Sequence, residues 1–256
     1  MEIKNENGFS YYESSSKNRD VIILLHGLFG TLSNFKDLND EFCDNYKIVI
    51  PILPLYTMKL KETGIQGFLK YLEKFIGFKE FHNFHLLGNS LGGHIALLYA
   101  LKWQAKLATM TLTGSSGLFE SGMGDGYPKR RNYDYIKRKT AETFYDPSVA
   151  NKELVDEVFE IVNDREKALR IIVTAKSALR NNIEKMLNKI SVPTLLIWGK
   201  NDTITPKFVG EKFHQLIKSS ELVLIDRCGH APMMERPKEF NEALSDFLIR
   251  HKIMEG

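Results

Sequence analysis

The sequence predicts an α/β protein: a mostly parallel sheet with helices on both faces and a helical segment inserted between two of its strands. Three observations predict it. Short apolar runs bounded by turn residues recur along the chain, as buried parallel strands do. Helical patterns alternate with them, which calls for right-handed crossovers. Between about Leu118 and Ile190 the alternation stops and only helical patterns appear.

The runs are VIILL (21–25), KIVIPIL (47–53), FHLL (84–87), LATMTLT (107–113), TLLIW (194–198) and ELVLI (221–225). Leu91–Leu101 reads LGGHIALLYAL, apolar on most sides, and predicts a buried helix. Phe208–Ile217 and Phe240–Leu248 are amphipathic. In the strand-free block, Asp146-Pro147 fits an N-cap followed by proline at the first helical position. Val155, Val158, Phe159 and Val162 then repeat at helical spacing, and Leu169, Ile172, Val173 and Leu179 continue an apolar face. The division is a core of residues 1–117 and 191–256 and a helical lid of residues 118–190. SGMGDG (121–126), with Gly122, Gly124 and Gly126, is a flexible way into the lid.

The chain has 256 residues, of which 43% are hydrophobic, enough for a full core and too many for a disordered chain. Its 35 Lys+Arg against 32 Asp+Glu leave a net charge of +3, too small an excess for a dedicated nucleic-acid binder. Two cysteines, Cys43 and Cys228, make no disulfide framework. The start, MEIKNENGFSYYE, has no secretory pattern, and no apolar run is long enough to span a bilayer. The expectation is a cytoplasmic protein with no membrane span. A homodimer is left open.

Gly88-Asn89-Ser90-Leu91-Gly92 stands where the FHLL strand passes into the buried helix. This is G-x-S-x-G in the strand–turn–helix context the motif requires. A serine on a sharp turn exposes its hydroxyl, and flanking side chains would clash there. Serine is a weak nucleophile and needs a base. Gly229-His230 follows the ELVLI strand, on the edge where open α/β sheets place their sites. Asp202 follows TLLIW likewise. The order is Ser90, Asp202, His230, with Asp202 orienting the imidazole. Asp226 and Asp125 are rival acids. Asp226, four residues before His230, reads better as a turn cap.

VIILLHGLFG (21–30) is a strand ending in a glycine-bearing loop that can turn an N–H toward a reacting carbonyl. Leu28 is the expected donor, paired with Leu91 at the helix start. Phe29 either replaces Leu28 or walls the acyl pocket, which Asn89 and Met233 also line. His26 and His94 read as structural, and His214 and His251 as solvated. His82 and His85 lack the partners of a metal set. The basic segment holding Lys129, Arg130, Arg131, Lys137, Arg138 and Lys139 reads as a solvated helix face.

HGLFG, GNSLGG, GKND and CGHAPMMERP, in this order and spacing, resemble the α/β-hydrolase superfamily over essentially the whole chain except the lid. GNSLGG and Ser33-Asn34-Phe35 resemble the meta-cleavage-product C–C hydrolases, and HGLFGTLSNF resembles the start of some small bacterial esterases. The resemblance implies an eight-stranded sheet opening with an antiparallel hairpin near Ile3–Glu13, and oxyanion donors at Leu28 and Leu91. Two departures separate the chain from the C–C hydrolases. Ala231-Pro232-Met233 stands where they carry a tryptophan after the histidine, and no motif marks Arg170 or Arg180 as their substrate-binding lid arginine. Ser90 excludes the dehalogenases and epoxide hydrolases of this fold, which use an aspartate nucleophile. A haloperoxidase or perhydrolase side activity stays open.

The expectation is hydrolysis of a small ester through an acyl-enzyme, with no metal or organic cofactor. C–C bond hydrolysis is the alternative within enzymes. A non-catalytic ligand-binding protein on the same fold is the alternative outside them, opposed by the intact triad.

Overall fold

The computed structural model describes residues 1–119 and 129–251. Eight strands form one sheet in the order β1-β2-β4-β3-β5-β6-β7-β8. They are β1 (Ile3–Glu6), β2 (Phe9–Glu13), β3 (Val21–Leu25), β4 (Lys47–Pro51), β5 (Phe84–Asn89), β6 (Leu107–Thr113), β7 (Thr194–Gly199) and β8 (Ser220–Ile225). β1 and β2 form the antiparallel hairpin, β2 pairs antiparallel with β4, and every pairing from β4 to β8 is parallel. In KIVIPIL the strand ends at Pro51 rather than at residue 53.

Strands β3 to β7 are buried on both sides at nearly every position because helices cover both faces. Ile23 and Leu25 enter one core cluster and Ile22 and Leu24 the other, the two-residue period of a strand. On the first face lie α2 (Ile65–Lys79), α3 (Leu91–Trp103) and α7 (Lys207–Leu216). On the second lie α1 (Lys36–Phe42), the short α8 (Pro232–Glu235) and α9 (Pro237–Arg250). α3 is buried at every position from Leu91 to Ala100. Full burial stabilises a leucine or isoleucine by about 1.5–3 kcal/mol, so this helix fixes the centre of the sheet.

Between β6 and β7 the described helices are α4 (Tyr133–Ala141), α5 (Lys152–Asn163) and α6 (Arg165–Arg180). Asp146 caps only a short 3-10 turn, Pro147–Val149, and α5 starts later, capped by Asn151, whose side chain accepts from Leu154 N. α5 buries Val155, Val158, Ile161 and Val162, close to the expected face. α6 does not follow expectation. Leu169, Ile172 and Leu179 are half exposed, while Ile171, Thr174, Ala175 and Ala178 face inward. The cause is close packing on α2. Ile65 N donates to Ser177 Oγ at 3.0 Å, and a Cβ on Gly64 would lie 2.6 Å from that oxygen. Only small side chains fit such an approach. SGMGDG lies outside the described residues.

Candidate active site

Ser90 sits between β5 and α3 with φ 55° and ψ −117°. A non-glycine residue in that region carries about 1–3 kcal/mol of strain, held here by its surroundings. Ser90 N donates to Thr113 O at 3.0 Å, and Ser90 O accepts from the N–H groups of His94 and Ser116, each at 3.2 Å. A Cβ on Gly92 would lie 2.1 Å from Leu25 O, so the first turn of α3 can press on the end of β3 only as glycine. Ser90 itself is half-buried, at the edge of an otherwise closed core.

Asp202 and His230 leave the ends of β7 and β8, which pair in parallel. Asp202 is 4% exposed and His230 7%. Asp202 Oδ1 accepts from Ile204 N at 2.8 Å and Thr205 N at 2.9 Å, and Oδ2 accepts from Thr205 Oγ1 at 2.8 Å. Oδ2 also accepts from His230 Nδ1 at 2.9 Å. A carboxylate acceptor puts the ring hydrogen on Nδ1 and leaves Nε2 able to take a proton. The ring lies against Gly114, where φ is +51° and a Cβ would come within 2.9 Å of Nδ1. Gly114 follows Thr113, the residue that accepts from Ser90 N. Asn89 Nδ2 completes the link, donating to Thr113 O at 3.1 Å and to His230 O at 3.3 Å.

The loop after β3 is pinned from two sides. Leu53 N donates to His26 Nε2 at 3.1 Å, so the His26 hydrogen is on Nδ1, which donates to Gly27 O at 2.9 Å. Gly30 N also donates to Gly27 O, at 3.1 Å. With Gly27 C=O held, the trans peptide points Leu28 N–H the opposite way. Tyr56 Oη donates to Leu28 O at 2.6 Å and holds the next peptide. Burial lowers the His26 pKa, which keeps the ring in the neutral form this pair of bonds needs. A Cβ on Gly27 would lie 3.2 Å from Ser90 Cβ, so this loop runs directly beside Ser90. Leu91, the first residue of α3, has a first-turn N–H without an intrahelical acceptor, at the helix end that favours negative charge.

The expected pocket residues divide. Phe29 packs with Ile136, Val158 and Val162 of the inserted helices. Asn89 does not line open space; it is 4% exposed, and its amide braces the β6 and His230 backbones. Met233 is 2% exposed and belongs to the core cluster of α1 and α9. The rival acid Asp226 is exposed and pairs with Lys200 at 3.7 Å. The other rival, Asp125, lies outside the described residues. Burial, then the neighbouring Glu235 carboxylate, push the Cys228 thiol up, which makes it a poor nucleophile. Thr205, Gly114 and Tyr56 were not foreseen. Thr205 had a signal, since Asp-x-x-Thr after a strand favours side-chain bonds to nearby backbone N–H groups. Gly114 and Tyr56 had none, because their roles depend on elements distant in sequence.

The inserted helices meet the site edge at two further places. His230 N donates to Thr143 O at 3.0 Å, and Thr203 Oγ1 donates to Glu142 O at 3.1 Å. Lys137, Arg138 and Lys139 are exposed on α4, and Lys139 pairs with Glu142 at 2.7 Å, as a solvated face would. No helix among the described residues is long and apolar enough to cross a membrane.

The chain is similar to a 2-hydroxy-6-oxononadienedioate/2-hydroxy-6-oxononatrienedioate hydrolase of Pseudomonas putida, 23% identical over 93% of this chain and 91% of that protein. It is similar to Lipase 3 of a Moraxella species, 26% identical over 90% of this chain and 77% of the lipase. It also resembles the crystal structure of MGS-MChE2, an alpha/beta hydrolase enzyme from the metagenome of lagoon sediments at Mar Chica, Morocco. That likeness has a TM-score of 0.81 and 40% identity, and covers 99% of this chain and 100% of the other. The family model described as "Alpha/beta hydrolase family" matches residues 22–243. The chain is therefore an enzyme of the α/β-hydrolase family.

Proposed function

We propose that this hydrolase cleaves small carboxylic esters through Ser90, His230 and Asp202. The observation that carries the reading is the His230 Nδ1–Asp202 Oδ2 bond of 2.9 Å, on a ring packed against Gly114 beside the strained turn of Ser90. His230 Nε2 takes the Ser90 hydroxyl proton as Ser90 Oγ attacks the ester carbonyl. The oxyanion rests on the N–H groups of Leu28 and Leu91. His230 gives the proton to the leaving alcohol, then takes one from water, and water releases the acid from Ser90. Residues 1–117 and 191–256 supply this chemistry. Residues 118–190 act as a lid whose helices meet Phe29 and choose the acyl group.

Cleavage of a C–C bond in a vinylogous keto acid is the second reading, motivated by the similarity to the Pseudomonas putida hydrolase. Two observations favour the ester. The Arg170 guanidinium is already engaged, donating to Met58 O at 3.1 Å and to Glu166 at 3.2 Å. Arg180 is exposed, in the last turn of α6. Neither is offered as a dedicated carboxylate clamp.

The test is a panel of p-nitrophenyl esters of graded chain length beside a dienol keto acid, with fluorophosphonate labelling. Ester turnover and labelling are expected in the parent protein, and both should vanish in a folded Ser90→Ala variant. Labelling that persists at another serine, or turnover of the keto acid alone, overturns the ester reading.

A further inference from the structure

Glu235 is a buried acid that the proposed chemistry does not use. It ends α8 five residues after His230 and is 8% exposed. Its carboxylate receives three backbone N–H groups. Oε1 accepts from Tyr145 N at 2.7 Å and Asp146 N at 2.9 Å, and Oε2 accepts from Gly229 N. Bonds from N–H to an ionised acceptor are the stronger kind, and burial strengthens them further. The carboxylate is therefore a clamp between two separate segments. One is Gly229, the residue before His230. The other is the segment that leaves α4.

The two segments also touch directly. His230 N donates to Thr143 O at 3.0 Å. A Cβ on Gly229 would lie 2.6 Å from Thr143 O and 2.9 Å from Phe144 Cα, so the backbones are in contact. The same stretch reaches the Asp202 loop through Thr203 Oγ1 and Glu142 O, 3.1 Å apart. The imidazole thus has a support on its ring side, from Asp202, and another on its backbone side, from the inserted segment.

We propose that Glu235 is a positioning residue for His230, fixing the imidazole by clamping the Gly229 N–H to the backbone of residues 145–146. The inference rests on the reading of His230 as the base. It makes the inserted segment part of the base's mounting as well as a cover. Glu235→Gln keeps the size but turns one oxygen into an N–H donor. In either amide orientation a donor then faces Gly229 N or the Tyr145–Asp146 pair, and the clamp opens on one side. A shift of the imidazole on the order of 1 Å costs about 100-fold in rate without weakening ground-state binding.

The test compares parent, Glu235→Gln, His230→Ala and the double variant. Hydrolysis of an activated p-nitrophenyl ester is expressed per site labelled by fluorophosphonate at Ser90, or per folded molecule where labelling fails. Glu235→Gln should lower kcat per labelled site by about 10- to 100-fold with KM within about twofold. In the His230→Ala background the same change should cost less than about twofold, because a residue that acts through another has nothing left to act through. If Glu235→Gln does not fold, Glu235→Asp carries the comparison, since it keeps the acceptors but withdraws them by one methylene. An unchanged kcat per labelled site in the folded variant overturns the inference, as does an equal loss in both backgrounds. Full ester turnover by His230→Ala would overturn the reading of the base and this inference with it. An inactive His230→Ala beside an unchanged Glu235→Gln overturns this inference alone.

Discussion

Helices α3 and α6 handle their apolar side chains in opposite ways. Every residue of α3 from Leu91 to Ala100 is buried, so its apolar content and its burial coincide. α6 leaves Leu169, Ile172 and Leu179 about half exposed and puts Thr174, Ala175 and Ala178 inside. The difference lies in what each helix packs against. α3 is covered on all sides, by the sheet, by α2 and by the end of the inserted block, and filling that space takes large side chains. α6 packs on α5 and meets the start of α2 where Gly64 and Ser177 nearly touch and only small side chains fit. Hydrophobicity thus reports burial in α3 and α5 and misreports it in α6. The same split runs through function, with the chemistry proposed on the sheet edge and selection on the insertion.

The sharpest way to break that division is at Asp202. Its side chain is fully buried and receives four hydrogen bonds, one of them from His230. Asp202→Asn can keep the two backbone bonds but presents an amide N–H or a neutral oxygen to Nδ1, so the imidazole loses its set orientation. The expected result is a fall in kcat of about 10^3- to 10^4-fold with little change in KM. If Asp226→Asn, at an exposed residue paired with Lys200, were the crippling change and Asp202→Asn were mild, the sheet-edge site would be wrongly drawn.

Acid is a second probe, because three buried histidines lie in or beside the frame. Burial lowers the pKa of His26, and takes His85 and His94 down to about 4. The unfolded chain protonates each near 6.5. Between these values the unfolded state binds more protons, so stability is full above about pH 6.5 and falls as the pH drops toward 4. His85 and His94 contribute up to about 3 kcal/mol each to that fall. His94 Nε2 donates to Asn181 O at 3.0 Å, just past α6, so protonation puts the added hydrogen on Nδ1, a buried atom with no hydrogen-bond partner among the described residues. The Tm should therefore drop steeply between pH 6.5 and 4, and His94→Gln should flatten part of the drop. A Tm that stays level over this range contradicts the burial of these rings.

What the sequence revealed follows the same line. All six apolar runs became strands to within two residues at either end; KIVIPIL ended two residues early at Pro51, and FHLL ran two residues further to Asn89. That Ser90, Asp202 and His230 lie on one edge was legible because each follows the C-terminal end of a strand, and those ends share one edge in a parallel sheet. The burial of Asn89 and Met233 was not legible, because adjacency to Ser90 or His230 does not tell which way a side chain points. Glu235 and Gly114 were invisible, since their partners lie about 90 and 116 residues away along the chain. Asp146-Pro147 misled because a cap signal specifies a turn, not how far the helix continues beyond it.

The smallest expected effect separates the two rules within α6 itself. Ile171 and Ile172 are neighbours with the same side chain, so propensity and the unfolded chain treat them alike. Only burial distinguishes them, at 9% exposure for Ile171 and 46% for Ile172. Truncating a buried isoleucine to alanine costs about 2–5 kcal/mol through lost transfer energy and the cavity left behind. Truncating a half-exposed one away from any bond costs about 0.5 kcal/mol or less, and the better helix propensity of alanine offsets part of that. Ile171→Ala should thus lower the midpoint of urea unfolding clearly, at unchanged slope, while Ile172→Ala should leave it nearly in place. Equal losses at the two positions would mean that α6 is turned differently on α2. The contrast with α3, where truncating either Ile95 or Leu97 should cost the full amount because both are wholly buried, would then disappear.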